Sequence, residues 1–235
     1  MLESRSITKK FGRKTAVDSI SLKLEPGRIY AMLGPNGSGK TTWMKMAAGL
    51  IKPTSGEIIY KGEQIGVNSH REIAYMSTEP YFYSWMTVRD VGKYYEDFFE
   101  DFSMERYQQL LHRMQLTEEL KTKSLSTGMM AKLKIAVTMA RKAKVYLLDE
   151  PLNGIDLLAR DEIMKSVLES AGEEVILLLS THLVDELESV VDNAIFIKDS
   201  HLVDACDMEE LRFTQGKSIV DRYREIYGNG GNMVC

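Results

Sequence analysis

Residues 29–42 read Ile29-Tyr-Ala-Met-Leu-Gly34-Pro-Asn-Gly-Ser-Gly-Lys40-Thr-Thr42, and this stretch decides the fold. Its first part is an apolar run that predicts a β-strand, and its second part is a glycine-rich loop. The residues from Trp43 to Leu50 then have helical character, until Pro53 and the residues around it stop the helix. The order of elements is therefore a strand, a glycine-rich loop and a helix.

Four residues of the loop match the pattern G-x-x-x-x-G-K-[ST], and they are Gly34, Gly39, Lys40 and Thr41. Glycines allow backbone N–H groups to surround a phosphate group at the positive end of the following helix dipole. The lysine of this pattern reaches the β- and γ-phosphates of a nucleotide, and the hydroxyl of its last residue binds Mg²⁺. The predicted nucleotide-binding residues are Gly34, Pro35, Asn36, Gly37, Ser38, Gly39, Lys40, Thr41 and Thr42.

Upstream of the loop, apolar and polar residues alternate from Ile20 to Leu24, and Pro26-Gly27 then turns the chain into the apolar run 29–33. This pattern predicts a β-hairpin. Two more short strands, Glu57–Tyr60 and Ile73–Met76, complete a β-rich edge.

The second half of the chain alternates strands and helices. The run Val145–Leu148 is too uniformly apolar for a strand with one wet face, which indicates a parallel sheet covered on both faces. Two helical patterns precede this run, one at 86–120, where Tyr107, Leu110, Leu111 and Met114 share a face, and one at 129–142. The predicted elements that follow are helix 157–170, strand 175–180, helix 184–190 and strand 194–197. The chain then has an amphipathic helix with Ile219, Val220, Tyr223 and Ile226, and a frayed end at 228–232. The β-α-β-α-β succession predicts a three-layer α/β core.

Composition limits the classes of function. The 235 residues fit one domain better than two, and the net charge of -4 offers no positive field for nucleic acid. Cys206 and Cys235 predict neither a disulfide framework nor a zinc site, which fits a reducing compartment. The N-terminus lacks the apolar core of a signal peptide, and apolar runs such as Val175–Leu179 are far shorter than the roughly 20 residues that span a bilayer. We therefore expect no nucleic-acid partner and no direct membrane insertion.

Four further segments, taken in their order and spacing, carry a family resemblance. They are Leu125-Ser126-Thr127-Gly128-Met129, Val145-Tyr-Leu-Leu-Asp149-Glu150-Pro151, Asn153-Gly-Ile-Asp156 and Ser180-Thr181-His182. They resemble the signature, Walker B, D-loop and H-loop of ATP-binding cassette (ABC) ATPases, and with Phe11 the resemblance covers about residues 1–205. It implies a P-loop NTPase fold with a mostly parallel central sheet, an antiparallel β edge subdomain and an inserted helical subdomain. The expected bounds are one ABC ATPase domain over 1–235, with the helical subdomain at about 86–142 and a C-terminal tail at about 206–235.

Asp149 ends the buried strand beside the phosphate loop, so its carboxylate can hold Mg²⁺ through water while Glu150 faces the γ-phosphate. The plain alternative is that the two carboxylates only solvate the end of a strand. The resemblance makes Glu150 the general base that polarises the attacking water. His182 follows the next strand and should emerge on the same edge. A lone histidine is often structural, but the resemblance implies that His182 contacts the γ-phosphate and links Glu150 with the opposite subunit.

Ser126 precedes a predicted helix and could be an ordinary N-cap. The resemblance adds that Ser126 and Gly128 contact ATP held by a second subunit, so that ATP joins a two-fold dimer. It places Asp156 at the same interface, although an ordinary loop aspartate remains the alternative. It also implies that Phe11 stacks on adenine, where the alternative is a core residue of a hairpin.

The sequence departs from the family pattern at three positions. Thr78 follows strand Ile73–Met76 where the family has a glutamine that contacts Mg²⁺ and the attacking water, and Thr127 and Met129 replace the usual glycine and glutamine of the signature. Thr78 could still bind the metal, or Glu79 could take its place. Because Ser126 and Gly128 are retained, we expect an active ATPase.

The resemblance implies an ATP-binding and ATP-hydrolysing subunit that drives transport through a separate membrane-spanning permease. A second cassette, identical or paralogous, would complete it, on the cytoplasmic face of the cell membrane. The aromatic stretch from Pro80 to Met86 is where the family docks its permease, unless these side chains form the core of the helical lobe. Two alternatives stay open, a soluble non-transport ABC ATPase and a weakly hydrolysing regulatory cassette.

Overall fold

Two β-sheets and a group of helices make up the protein, whose structure is a computed structural model describing residues 1–79, 81–172, 174–182, 184–185 and 187–228. The strands are β1 (Leu2–Phe11), β2 (Lys14–Leu24), β3 (Arg28–Leu33), β4 (Ser55–Tyr60), β5 (Glu63–Gln64), β6 (Ile73–Met76), β7 (Val145–Asp149), β8 (Ile176–Thr181), β9 (Asn193–Lys198) and β10 (His201–Asp207). The α-helices are α1 (Lys40–Ala47), α2 (Val67–His70), α3 (Val88–Phe98), α4 (Met104–Arg113), α5 (Thr127–Met139), α6 (Leu157–Ala171), α7 (Met208–Phe213) and α8 (Ile219–Tyr227).

The central sheet has the strand order β10-β9-β3-β8-β7-β6, and its pairs are parallel except for β10 with β9. Every residue of β7 and β8 is buried, as the uniform apolar run Val145–Leu148 predicted. Alternate side chains of these strands enter two hydrophobic clusters, so both faces of the sheet are covered. The three-layer α/β architecture is confirmed. Parallel strands bring their carboxyl ends to one edge, which therefore collects the residues that follow β3, β6, β7 and β8.

The second sheet is antiparallel, with the order β2-β1-β4-β5. It packs with α1 and the central sheet around a cluster that includes Trp43, which is 1% exposed. The hairpin predicted between Ile20–Leu24 and the run 29–33 is wrong. β2 pairs with β1 in this sheet, whereas β3 pairs with β8 and β9 in the other. The turn at Pro26-Gly27 carries the chain from one sheet to the other. The alternating strand β2 has only one apolar face to bury, whereas the uniformly apolar strand β3 has two, so the two strands belong to different sheets.

The helices between residues 88 and 139 begin at side-chain caps. Thr87 and Asp90 form a reciprocal capping box at α3, and the Ser103 hydroxyl accepts a hydrogen bond from the Arg106 N–H at α4. The predicted apolar face of this region is confirmed by its buried members Tyr107, Leu110, Leu111 and Met114. Gly92 lies against Tyr107, since a Cβ added to Gly92 would be 2.4 Å from the tyrosine ring.

The helix predicted at Val184–Val190 is wrong for the residues described there, which form turns; Leu183 and Glu186 lie outside the described residues. The hydrogen bonds from Leu187 N–H to Val184 O and from Val190 N–H to Leu187 O span three residues, whereas the bond from Val191 N–H to Leu187 O spans four. These turns bury Val184 and Leu187 without an α-helix. The tail helix is present as α8, and the predicted fraying of the glycine-rich end concerns residues that begin at Gly228 and otherwise lie outside the described part of the chain.

Within the part of the chain that the structure describes, no helix combines the length and the apolar character needed to cross a membrane.

Candidate nucleotide-binding site

A cavity of about 500 Å³ lies where the phosphate loop meets the turn between β1 and β2. This volume is in the range of small-molecule sites, about 300–1,000 Å³. It brings together most of the residues predicted from the sequence, namely Phe11, Asn36, Gly37, Ser38, Gly39, Lys40, Thr41, Thr42, Thr78, Glu150 and His182. The sequence reasoning missed three other lining residues, Lys14, Ala16 and Asn153. Of these three residues, only Asn153 could have been predicted from the sequence, because it begins the quoted D-loop segment.

The loop has its conformation because two glycines are in places that no other residue fits. A Cβ on Gly34 would be 2.2 Å from Ile197 O, and a Cβ on Gly39 would be 2.5 Å from Ala16 O. Gly39 also has a φ of 116°, in a region that side chains rarely adopt. Gly39 caps the start of α1, so the free N–H groups of the helix face the loop.

The hydroxyl oxygen of Ser38 is a buried polar atom of the loop. The residue is 3% exposed, and its hydroxyl has no hydrogen-bond partner among the described residues. Buried hydroxyls in folded proteins almost always have such a partner. Its position in the loop means that an oxygen-rich group bound there could supply the missing partner.

Lys40, Glu150 and His182 form a chain of charged and polar contacts across the cavity. Glu150 Oε1 is 3.9 Å from Lys40 Nζ, and Glu150 Oε2 is 2.9 Å from His182 Nδ1. Lys40 is 6% exposed and donates to the carbonyl oxygens of Gly34 at 2.6 Å and Pro35 at 3.2 Å. Burial lowers the pKa of Lys40, and the negative charges of Glu150 and Asp149 oppose that shift.

The backbone of Glu150 is in an unusual conformation, with a φ of 48°. Its N–H lies within hydrogen-bond distance of Ser180 at both the carbonyl oxygen, 3.2 Å away, and Oγ, 3.0 Å away. Non-glycine residues in this region are uncommon and often occur at functional sites. These contacts turn Glu150 out of β7 and direct its carboxylate between Lys40 and His182.

Asp149 lies beneath the cavity, is fully buried and is not among its described lining residues. Ser180 Oγ donates to Asp149 Oδ1 at 2.5 Å, and the Tyr75 hydroxyl donates to Oδ2 at 3.3 Å. Burial and the negative charge of Asp149 both raise the pKa of Tyr75, so this hydroxyl remains a donor. Tyr75 and Ser180 were not predicted as site residues, although both belong to strands that end at this edge.

Thr78, rather than Glu79, lines the cavity. The side chain of Glu79 is 76% exposed, and its Oε1 is 3.7 Å from Lys45 Nζ. The backbone next to Thr78 is held by Lys134 of α5, whose Nζ donates to the carbonyl oxygens of Ser77 and Thr78. Of the two alternatives that the sequence left open, the geometry favours Thr78.

Ser126, Gly128 and Asp156 do not belong to the described lining of the cavity that contains Lys40. Ser126 is an N-cap, as predicted, because its Oγ accepts a hydrogen bond from Met129 N–H at 3.2 Å. Asp156 caps α6 in the same way, accepting from Ala159 N–H at 3.0 Å. The start of α5 touches the loop that precedes α6, since a Cβ on Gly128 would be 2.7 Å from Gly154 O. A role toward a second subunit remains a prediction.

Phe11 is 52% exposed at the edge of the cavity. Lys9 Nζ is 5.2 Å from the ring centroid. This exposure excludes the alternative in which Phe11 is a core residue of the hairpin. The ring face is available to a flat ligand at the opening of the cavity.

The aromatic stretch after Thr78 divides between core and surface, and Pro80 lies outside the described residues. Met86 is 4% exposed, whereas Tyr83 and Trp85 are 58% and 64% exposed and stack with centroids 5.9 Å apart. A groove of about 310 Å³ is lined by Tyr81, Phe82, Tyr83, Met86, Tyr94, Tyr95, Phe98 and Phe99.

Tyr227 connects the C-terminal helix to the strand that leads into the phosphate loop. Its hydroxyl lies 3.1 Å from Leu33 O and 2.9 Å from Ile197 O. The ring stacks at an angle on Tyr223, with centroids 4.3 Å apart. α8 is therefore attached to both β3 and β9 at the edge that bears the cavity.

Comparisons with known proteins identify the family of the chain. Residues 17–153 match a family model described as ABC transporter. Over 219 residues the chain is 33% identical to the uncharacterized ABC transporter ATP-binding protein YcbN of Bacillus subtilis (strain 168), covering 90% of this chain and 71% of YcbN. Over 205 residues it is 29% identical to the lantibiotic transport ATP-binding protein SrtF of Streptococcus pyogenes, covering 86% of this chain and 89% of SrtF.

A solved structure of the ATP-binding subunit of an ABC transporter has the same fold, with a TM-score of 0.85 at 23% identity over 96% of this chain and 99% of that one. The P-loop NTPase fold expected from the sequence is thereby confirmed. These similar proteins are transporter subunits, and none of the three supports the soluble non-transport alternative or the weakly hydrolysing cassette. The chain belongs to the ABC transporter family, as an ATP-binding subunit that hydrolyses ATP.

Proposed function

We propose that this subunit hydrolyses ATP between two cassettes and thereby drives a separate permease. The observation that carries the proposal is the position of Glu150, which lies between Lys40 and His182 at the phosphate-loop cavity. Glu150 is the general base of the reaction, because its carboxylate lies at the cavity wall and can accept the proton of an attacking water. His182 is the positioning group, since its Nδ1 contacts the same carboxylate.

ATP binds with its phosphates against residues 34–42 and its adenine against Phe11. Lys40 then exchanges the loop carbonyls of Gly34 and Pro35 for phosphate oxygens, which are better partners for an ammonium group that is almost fully buried. The Ser38 hydroxyl gains the partner that it lacks among the described residues. The half-exposed ring of Phe11 can stack on a base without a specific hydrogen-bond pattern.

The donor set around the cavity fits Mg²⁺, which prefers oxygen ligands and keeps several waters. Thr41 and Thr78 line the same cavity and would supply hydroxyl oxygens, and the buried carboxylate of Asp149 would hold the ion through water. No cluster of three or more His, Cys, Asp or Glu side chains in the described part of the chain forms a rival metal site. Bound Mg²⁺ would neutralise charge that develops on the phosphate oxygens. Ser180 and Tyr75 hold both carboxylate oxygens of Asp149 and so fix its orientation.

A second cassette, identical or paralogous, completes the site. Ser126 and Gly128 begin α5 outside the described lining of the cavity that Lys40 occupies in the same chain, which supports a contact with ATP held by the other subunit. Asp156 caps the neighbouring helix and joins the same interface. Replacing Ser126 with Glu should abolish the ATP-dependent dimer while ATP binding by the monomer stays intact. A dimer that survives this change would exclude Ser126 from the interface.

The permease docks at the aromatic groove beside Trp85 and Tyr83, and it holds the subunit at the cytoplasmic face of the membrane. Exposed apolar surface of this kind marks interaction sites. Trp85→Glu should abolish co-purification with the permease and leave ATP binding unchanged. Val67→Glu is the matched control, because Val67 is 78% exposed on α2, outside the groove. Equal retention of the permease by both variants would refute this docking site.

We also propose that residues 1–235 form one ABC ATPase domain, with a helical subdomain at about 86–142 and a tail at about 206–235. The capped helices α3, α4 and α5 between residues 88 and 139 support the first boundary. The permease determines which cargo is transported.

Glu150→Gln tests the catalytic proposal. Loss of a general base lowers turnover by about 10²- to 10⁴-fold, whereas the amide still fits the site. We expect no measurable Mg²⁺-dependent ATPase activity and an ATP-locked dimer in size-exclusion chromatography. Glu79→Gln is the matched control, because that exposed carboxylate pairs with Lys45 outside the cavity, and it should retain turnover. Turnover of Glu150→Gln at the wild-type rate would refute the assignment.

A further inference from the structure

Lys134 is a buried lysine that the proposed reaction does not use. It lies on α5 with 6% of its surface exposed, between the buried residues Leu133 and Ile135. Lysine side chains are rarely buried unless they are paired with an opposite charge. In the described part of the chain, no carboxylate forms an ion pair with Lys134, and its Nζ instead donates to two backbone oxygens. Burial of the cation lowers the pKa of Lys134, and the negative charge of Asp149 offsets that effect only in part, so the two backbone oxygens are its direct partners in the described part of the chain.

The two oxygens belong to the segment that leaves the sheet toward the cavity. Lys134 Nζ is 3.0 Å from Ser77 O and 2.7 Å from Thr78 O. β6 ends at Met76, so neither carbonyl belongs to a strand. Thr78 follows directly and lines the nucleotide cavity. Lys134 therefore fixes the backbone that carries the Thr78 hydroxyl.

The helix that bears Lys134 also begins at Ser126, the residue proposed to meet ATP of the other subunit. α5 runs without interruption from Thr127 to Met139, and its residues from Leu133 to Met139 are all buried. A helix of this kind moves as a rigid element. The contact at Lys134 thus connects the helix start that faces the partner's nucleotide with the Thr78 segment that faces the chain's own nucleotide.

We propose that Lys134 is a positioning residue for ATP hydrolysis. It holds the Thr78 segment against α5, so that the position of Thr78 in the cavity is fixed relative to the position of Ser126 at the start of the same helix. This inference rests on the proposed function, because it assigns Thr78 and Ser126 to the two nucleotide sites of a dimer. Threonine is shorter than the glutamine that the family has at this position. The contact with Lys134 compensates for the shorter side chain, because it anchors the backbone of Thr78 close to the cavity.

The first experiment compares Lys134→Met, Thr78→Ala and the double variant in the full-length chain. Methionine keeps the length of the lysine stem but cannot donate hydrogen bonds. We expect each single variant to lower the Mg²⁺-dependent kcat by about tenfold, the usual effect of removing a supporting contact. The double variant should lose no more than either single variant, because both changes disable the same group. ATP binding by the monomer should change by less than about twofold, since the phosphate-loop contacts remain.

Two further variants separate positioning from a general structural role. Lys134→Gln keeps one donor group of similar reach and should recover part of the lost kcat. Lys132→Met is the matched control, because Lys132 is on the same helix but donates to Met114 O, away from the Thr78 segment. It should retain the wild-type kcat.

Hydrogen exchange of the nucleotide-free protein tests the contact without any turnover. The peptide that contains Ser77, Thr78 and Glu79 should exchange faster in Lys134→Met than in wild type or Lys132→Met. Unchanged exchange, or losses of kcat that multiply in the double variant, would overturn the inference. If the wild-type chain itself shows no turnover, the proposed function fails, while the exchange comparison still decides whether Lys134 holds this segment.

Discussion

Gly92→Ala sets two physical effects of opposite sign against each other inside α3. Alanine is favoured over glycine in a helix interior by about 0.8–1.0 kcal/mol, so helix propensity alone predicts a more stable protein. The structure predicts the reverse. A Cβ on Gly92 would lie 2.4 Å and 2.6 Å from two ring atoms of Tyr107, and both residues are buried. Overpacking of this kind costs about 1–3 kcal/mol.

The Tyr107 ring cannot move aside without a further cost. The Tyr107 hydroxyl, on α4, donates to Val88 O at 2.7 Å, in the first turn of α3. Losing that hydrogen bond costs about 1 kcal/mol. Overpacking and the lost bond together exceed the propensity gain, and we expect a net loss of about 2 kcal/mol in the free energy of unfolding. For a chain of this size that corresponds to a fall in Tm of roughly 4–8 °C.

Thermal unfolding followed by circular dichroism measures this prediction, with Lys93→Ala on the exposed side of the helix as the control. The control should stay within about 0.5 kcal/mol of wild type. Tyr107→Phe adds a second reading: removing the hydroxyl should cost less in the Gly92→Ala background, where the bond is already displaced. An unchanged or raised Tm for Gly92→Ala would show that helix propensity wins and that the packing argument is wrong.

Three more outcomes follow from Tyr75, Tyr227 and Cys206. Tyr75→Phe removes the donor to Asp149 Oδ2, so the Mg²⁺ concentration needed for half-maximal ATPase activity should rise by about tenfold, and an unchanged Mg²⁺ titration would contradict this. Tyr227→Phe removes the hydroxyl beside Leu33 O and Ile197 O and should lower stability by about 1 kcal/mol in urea unfolding; equal midpoints would rule out a stabilising bond. Burial, followed by the charge of Asp204, raises the pKa of Cys206 to about 11. Because the thiolate is the reactive form, iodoacetamide should label Cys206 in a Cys235→Ser chain more slowly at pH 8 than it labels free cysteine, with a rate that climbs toward pH 11; free-cysteine rates at pH 8 would refute the shift.

The parts of the fold that depend on local residues were predictable. The phosphate loop combines a glycine pattern with a strand before it and a helix after it, and all three are confirmed. Ser126 was identified as a cap from its place before a helix, and the hydrogen bond to Met129 N–H bears this out. In these cases the determining contacts join residues close together in the chain.

The errors arise where pairing is decided over long distances in the chain. The alternation from Ile20 to Leu24 was real, but its partner is β1, whose own alternation is interrupted by register shifts between Ser4 and Ile7 and beyond. A reader of the sequence sees the nearer run 29–33 and predicts a hairpin. The choice of partner is made instead by burial, since β3 needs neighbours on both sides and takes β8 and β9.

Supporting residues of the site were missed for the same reason. Tyr75 acts through one contact with Asp149, and Lys134 acts through two contacts with Ser77 and Thr78, and all three partners are far from them in the chain. A tyrosine in a strand and a lysine in an otherwise apolar helix face become informative only when the partners are known. The lysine had the stronger signal, because the flanking residues Leu133 and Ile135 are both apolar.

The hydroxyl of Tyr227 also has a bearing on how the protein is made. During synthesis Leu33 leaves the ribosome long before β8, β9 and Tyr227, the elements that border it in the finished molecule. A nascent chain therefore carries a complete phosphate-binding sequence on a strand with none of these neighbours. The set of contacts around Leu33 is therefore complete only after α8 has emerged and Tyr227 can reach it.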